Sequence, residues 1–317
     1  MKLNRRAFLG SIPLASVALA HDHVMTPAPH RAVAAADIGF HSFNPVLPPL
    51  SPDTTTCIHM AAREVPVCIK PGLVVSGWTF DGDIPGPVIH VRQGDTIDFT
   101  LTNEGMMPHS MDFHCALVDP KKAFRSVGPG QSVSFSFTAR YPGAFLYHCG
   151  TPPILMHLGS GMFGAIIVDP APQLAPAKEF VLVQSEFYLN EPKNGVAASS
   201  YTKMLTNAPD IVAFNGRPGQ YHQAPLRVKR GDRVRFYVVT AGPTHPCFFH
   251  VVGQQFETVY LGAPPANAAH GIQTFSVPPG GGMIFEFTAD IAGEFPFVNH
   301  GFGHGQKGAT GLLLVEE

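Results

Sequence analysis

Two stretches of this chain align without a gap, and that internal repeat constrains the fold more than any other feature. Pro129-Gly130, Phe137-Thr138-Ala139, Gly143 and Phe145 recur as Pro279-Gly280, Phe287-Thr288-Ala289, Gly293 and Phe295. Upstream, Val91-Arg92-Gln93-Gly94-Asp95 is echoed by Val228-Lys229-Arg230-Gly231-Asp232. Each copy precedes an alternating run, Ile97-Phe99-Leu101 and Val234-Phe236-Val238, the pattern of a half-buried strand. Downstream, the segment from Gly161 to Val168 is echoed by that from Gly308 to Val315. With 32 Gly and 31 Pro in 317 residues, short strands joined by many turns are expected, not long helices. The chain reads as all-β, one Greek-key sandwich used twice.

The join falls between Asp169 and Lys178, where Pro170, Pro172 and Pro176 interrupt any regular element. The first domain is expected over 56–171 and the second over 172–317. Residues 21–55, rich in Ala, Pro and His without a sustained period, read as a flexible tail. Before it, Lys2, Arg5 and Arg6 precede an apolar run from Ala7 to Ala20 that ends in Ala18-Leu19-Ala20, the form of an export leader over 1–20. Arg5-Arg6 followed by Ala7-Phe8-Leu9 resembles a twin-arginine signal, so a periplasmic or otherwise exported protein is expected. Cleavage after Ala20 would expose His21-Asp22-His23, a candidate copper(II) capture site. No other apolar run approaches the roughly 18 residues of a membrane span. Charged residues are 14% of the chain and the net charge is −2, which gives no basic field to gather nucleic acid or anionic lipid.

Five cysteines is an odd number, so at least one is unpaired or a ligand. Cys57 and Cys68 are candidates to pair, unless both fall on one extended stretch that holds them apart. Cys149 is the candidate ligand. It follows His148 and precedes His157 and Met162, with His109 and His114 upstream. Two His, one Cys and a weak axial Met is the donor set of a blue-copper electron-transfer site. Neighbouring strand residues face opposite ways, so Cys149 and His148 must serve different places. His109 and His114, an odd number of residues apart, divide in the same way if their segment is extended. This assigns His109, Cys149, His157 and Met162 to the blue site, and leaves His114 and His148 to begin a second.

The repeat puts Asn299 where Cys149 stands and Ala309 where Met162 stands, so the second domain has lost a blue site of its own. It offers His300, which with His114 and His148 would give three imidazoles and an open position, the pattern of a catalytic metal. His304, in the same Gly-rich run, is the alternative third histidine.

These motifs resemble those of the copper-containing nitrite reductases, two-domain cupredoxins, over about residues 57–317. The resemblance is greatest to the subgroup with a short Cys-to-His loop. It implies two tandem cupredoxin-like domains and two coppers per chain: type 1 on His109, Cys149, His157 and Met162, and type 2 on His114, His148 and His300. It also implies a homotrimer with type 2 copper between subunits, and a small cupredoxin or cytochrome c as electron donor. Asp112 and His250 resemble the family's proton donors, and Thr274 the threonine that supports an active-site histidine. Val252 stands where the family usually has a bulkier isoleucine, which implies a wider pocket, and the run after His300 is one residue shorter than usual. Cys115 and Cys247, neighbours of His114 and His250, inherit no role, though a neighbouring subunit could bring them close enough to pair.

The expected reaction is one-electron reduction of nitrite to nitric oxide. Two rivals remain: a two-domain multicopper oxidase of laccase type, and a copper-binding electron carrier without catalysis. The first needs several His-X-His pairs, and this chain has one, His21-Asp22-His23.

Overall fold

The computed structural model describes residues 38–317; the expected export leader and His21-Asp22-His23 lie outside them. The first sandwich packs a five-stranded sheet against a four-stranded one. The larger sheet runs Val196–Ala197, Leu73–Phe80, Thr55–Lys70, Thr96–Asn103, Ser132–Thr138, and the smaller Ile89–Arg92, Phe163–Asp169, Gly143–His148, Asp112–Phe113. The second sandwich repeats this plan with six and five strands. Ser132–Thr138 and Gly143–His148 have their counterparts in Gly282–Thr288 and Gly293–Asn299. The repeated glycine has a conformational reason: Gly143 and Gly293 sit at φ 145° and 152°, where a side chain is strained.

Each sandwich buries its own alternating faces, one core centred on Phe99, Phe113 and Tyr147, the other on Phe236, Phe249 and Phe297. A third apolar cluster, with Leu146, Ala165, Val181, Val183 and Tyr237, joins residues of both domains. A buried Arg217 from the second domain donates to Asp83 of the first at 2.6 Å, so the join is polar as well as apolar.

The structure differs from the sequence reading at two places. The expected flexible tail is not loose throughout. Val46 bridges Phe180, the Val181 amide donates to the Pro45 carbonyl at 2.7 Å, and Leu47 is buried. This short apolar segment satisfies the otherwise open edge of Lys178–Phe187. Cys57 and Cys68 are both free and lie on the single strand Thr55–Lys70, whose extension separates them.

Candidate metal centres

Among the described residues, two groups of side chains converge as metal ligands do: His109, Cys149 and His157, all buried, and Asp112, His114 and His148, at the surface. One strand feeds both. Gly143–His148 ends as the chain passes from one site to the other, and Cys149 continues it with its amide donating to the Met162 carbonyl at 3.0 Å.

In the buried group, His109 Nδ1 and His157 Nδ1 are 3.3 Å apart, and Cys149 Sγ is 3.2 Å from His157 Nδ1. Donors bound to one four-coordinate ion at about 2.0–2.3 Å lie roughly 3.3–3.5 Å from one another. His109 Nε2 lies 2.6 Å from Glu64 Oε1. A carboxylate only accepts, so Nε2 carries the proton and the Nδ1 lone pair is left for an ion. Burial alone would push the Cys149 thiol up, but the neighbouring His109 and His157 imidazoles outweigh it and bring the thiol down to about 5. A thiolate is therefore the resting form near neutral pH, which is the form that ligates a metal. Burial likewise opposes charge on His109, yet Cys149 and Glu64 raise it above its usual value. Glu64 is held below the usual carboxylate range: burial opposes this, but His109 and the Met106 and Met107 amides prevail. Met162 is buried in the same core as Cys149. Trp78 packs edge-on to His157, ring centroids 4.7 Å apart. Glu64 and Trp78 were not singled out from the sequence.

The surface group is set by Phe113. That side chain is buried and meets Phe99 edge-to-face at 4.9 Å, a pair worth about 0.5–1.5 kcal/mol beyond area burial. Its flanking residues, Asp112 and His114, are thereby turned the other way. Asp112 pairs with His148 across Asp112–Phe113 and Gly143–His148, and its Oδ2 lies 4.0 Å from His148 Nε2. His114 Nδ1 is 2.9 Å from the Gly280 carbonyl, and His148 Nδ1 is 2.9 Å from the Cys149 carbonyl. Carbonyls accept, so each Nδ1 carries the proton and each Nε2 presents a lone pair. Those two Nε2 atoms face one another at 3.0 Å, a spacing a shared ion relieves. Loss of hydration and then the neighbouring His148 hold His114 below its usual value, against the pull of Asp112.

His300 does not join this pair within one chain. It is exposed and its ring lies 5.4 Å from that of His250 and 4.6 Å from Phe302. His250 Nδ1 lies 2.6 Å from the Gln273 carbonyl; Thr274, opposite His250 in register, flanks that contact. Val252, 44% exposed, lies one residue past the end of strand Cys247–Val251, which carries His250. The constellation read from the sequence is therefore two half-sites, Asp112-His114-His148 on the first domain and His250-His300 on the second. His304 faces inward, its ring 4.7 Å from His245, and is separate from the exposed His300. Cys115 and Cys247 are buried in the cores of their own domains; burial pushes the Cys115 thiol up to about 12 and raises Cys247 as well. Neither presents a surface thiolate.

Two multicopper oxidase domain families match the chain, at residues 62–173 and 178–316. The copper-containing nitrite reductase of Neisseria meningitidis serogroup B is 38% identical over 268 residues, covering 82% of this chain and 68% of that protein. The chain belongs to the copper-containing nitrite reductase family. Among solved structures of this family, the Nitrosomonas europaea enzyme superposes with a TM-score of 0.78 at 35% identity, covering 83% of this chain and 94% of that one. The Thermus scotoductus copper-containing nitrite reductase gives 0.76 at 30% identity, covering 83% and 62%.

Proposed function

We propose that this chain is a copper-dependent nitrite reductase that converts nitrite, one electron and two protons into nitric oxide and water. The observation that carries this reading is the His148–Cys149 peptide: Sγ faces His157 Nδ1 at 3.2 Å while His148 Nε2 faces His114 Nε2 at 3.0 Å. Two convergent donor sets are thus joined by one peptide bond. Copper bound at both would supply the redox chemistry, electron entry at the type 1 site and nitrite reduction at the type 2 site. His109, Cys149, His157 and Met162 would hold the first ion, and His114, His148 and His300 the second.

Because His300 stands beside His250 and apart from His114, the complete type 2 site requires a second subunit. A homotrimer in which one first domain meets a neighbouring second domain supplies it and brings His250 toward Asp112. Asp112, on the face of His114 and His148, would hold the proton delivered to a nitrite oxygen, and His250, oriented by the Gln273 carbonyl, the second. Export to the periplasm and a small cupredoxin or cytochrome c as donor complete the proposal. The laccase reading is disfavoured because no two histidines within residues 38–317 are spaced as His-X-His. Nitrite-dependent nitric oxide release by copper-loaded protein with an artificial reductant tests the function; copper-replete protein that releases none would leave an electron carrier.

A further inference from the structure

The second domain keeps more of the lost site than its Asn299 and Ala309 suggest. His109 and His114 are five residues apart, as are His245 and His250; His157 and Met162 are five apart, as are His304 and Ala309. Strand register extends the match. Thr56 pairs with Ile97 and Lys178 with Val234, and Glu64 and Glu186 each stand eight residues further along. Glu186 is thus the counterpart of Glu64, and His245 and His304 those of His109 and His157.

Glu186 is fully buried and accepts from the His245 amide at 2.7 Å and from the Tyr188 hydroxyl. Its Oε2 lies 3.3 Å from His245 Nδ1, the separation of roughly 3.3 Å expected for two donors on one tetrahedral ion. That Nδ1 is buried and makes no hydrogen bond among the described residues. The imidazoles are 4.7 Å apart by ring centroid, against 5.2 Å for His109 and His157 and 5.0 Å for His114 and His148. Asn299 cannot replace the thiolate: its Oδ1 accepts from the Phe248 and Gly301 amides at 3.2 and 2.9 Å. Its Nδ2 approaches His304 Nδ1 at only 3.4 Å, a weak contact that a metal bond would supersede. The ligand atoms of the trio do not all converge here as those of the first-domain cluster do, so a bound ion would draw the His304 ring inward.

We propose that His245, His304 and Glu186 form a third metal site, specific to the second domain, for a divalent cation of the zinc(II) class. Two imidazoles and a carboxylate, with no thiolate or thioether, suit zinc(II) or tetragonal copper(II) and lack the donors that make a blue site. Burial, and secondly the nearby His245, keep His304 neutral with its lone pair available. The ion would fasten the short helix Phe302–Gln306, which follows His300, to strand Lys178–Phe187. Nothing in this site depends on nitrite chemistry.

Copper-loaded full-length protein equilibrated with buffered zinc(II), desalted and measured by metal mass spectrometry tests the site. One zinc per chain is expected beyond the coppers. Glu186→Gln and His304→Gln should each lose it while keeping copper, and zinc should raise the melting temperature of wild type alone. Should a variant fail to fold, His245→Gln provides the same comparison. Wild type without zinc, or equal zinc in wild type and variants, as tail histidines would bind it, overturns the proposal.

Discussion

Glu64 Oε1 lies 2.6 Å from His109 Nε2, and this contact fixes which nitrogen of His109 is free for a metal. Glu64 is itself held by the Met106 and Met107 amides at 2.6 and 3.1 Å. The chain of contacts runs from strand Thr55–Lys70 to the buried site. Glu64→Gln should therefore keep the fold but loosen the ring, lowering type 1 copper affinity by about 10–100-fold. Copper titration followed by the visible band measures it; unchanged affinity would make Glu64 a bystander.

Glu64 also marks the limit of what the sequence discloses. The parity of His148 and Cys149 is legible because both lie at the end of a strand whose faces alternate. His109 and His114 are a different case. Only Asp112–Phe113 is strand, and the buried Phe113 turns His114 and Asp112 away from the core. Glu64 stands 45 residues before His109 and reaches it through the parallel pairing of Thr55–Lys70 with Thr96–Asn103. No local period reports such a contact. The repeat does, since Glu64 and Glu186 are equivalent, but only once strand register is known. His300 is a different case: the repeat offers it as a candidate, but nothing local reports that one chain places it beside His250 and not beside His114. The packing of residues 45–47 on strand Lys178–Phe187 was hidden by prolines that satisfy an edge as well as they break one.

The thiolate test is direct. Cys149→Ser replaces a sulfur held near a pKa of about 5 with a hydroxyl that stays protonated, so the intense visible charge-transfer band of copper-loaded protein should vanish. An absorption spectrum decides it, and a band that persists would place the blue site elsewhere.

His114 sets a pH dependence. Its folded pKa is depressed below the ordinary 6.5 by lost hydration first and His148 second. As pH falls below 6.5 the unfolded chain takes the proton before the folded one does. Stability of the metal-free protein should therefore fall with pH in that window, until the folded group also protonates. His114→Ala should flatten that part of the melting-temperature profile. An equal slope in the variant would assign the effect to other groups.

Asp112 gives the sharpest test of mechanism. Its carboxylate stands 4.0 Å from His148 Nε2, beyond hydrogen-bond reach, and shares a face with His114. If Asp112 holds a proton for nitrite and does not ligate, Asp112→Asn should retain both coppers, because His114, His148 and His300 still offer three nitrogens. A positioned acid contributes about 10²–10⁴-fold, so nitrite turnover should drop by a factor in that range. Reduction of the type 1 copper by the donor should stay at the wild-type rate, because in the proposed assignment electrons would enter at the buried site. Metal content, stopped-flow bleaching of the visible band and nitric oxide release separate the outcomes. Loss of type 2 copper in the variant would make Asp112 a ligand, and near-normal turnover would assign the proton to His250 or water.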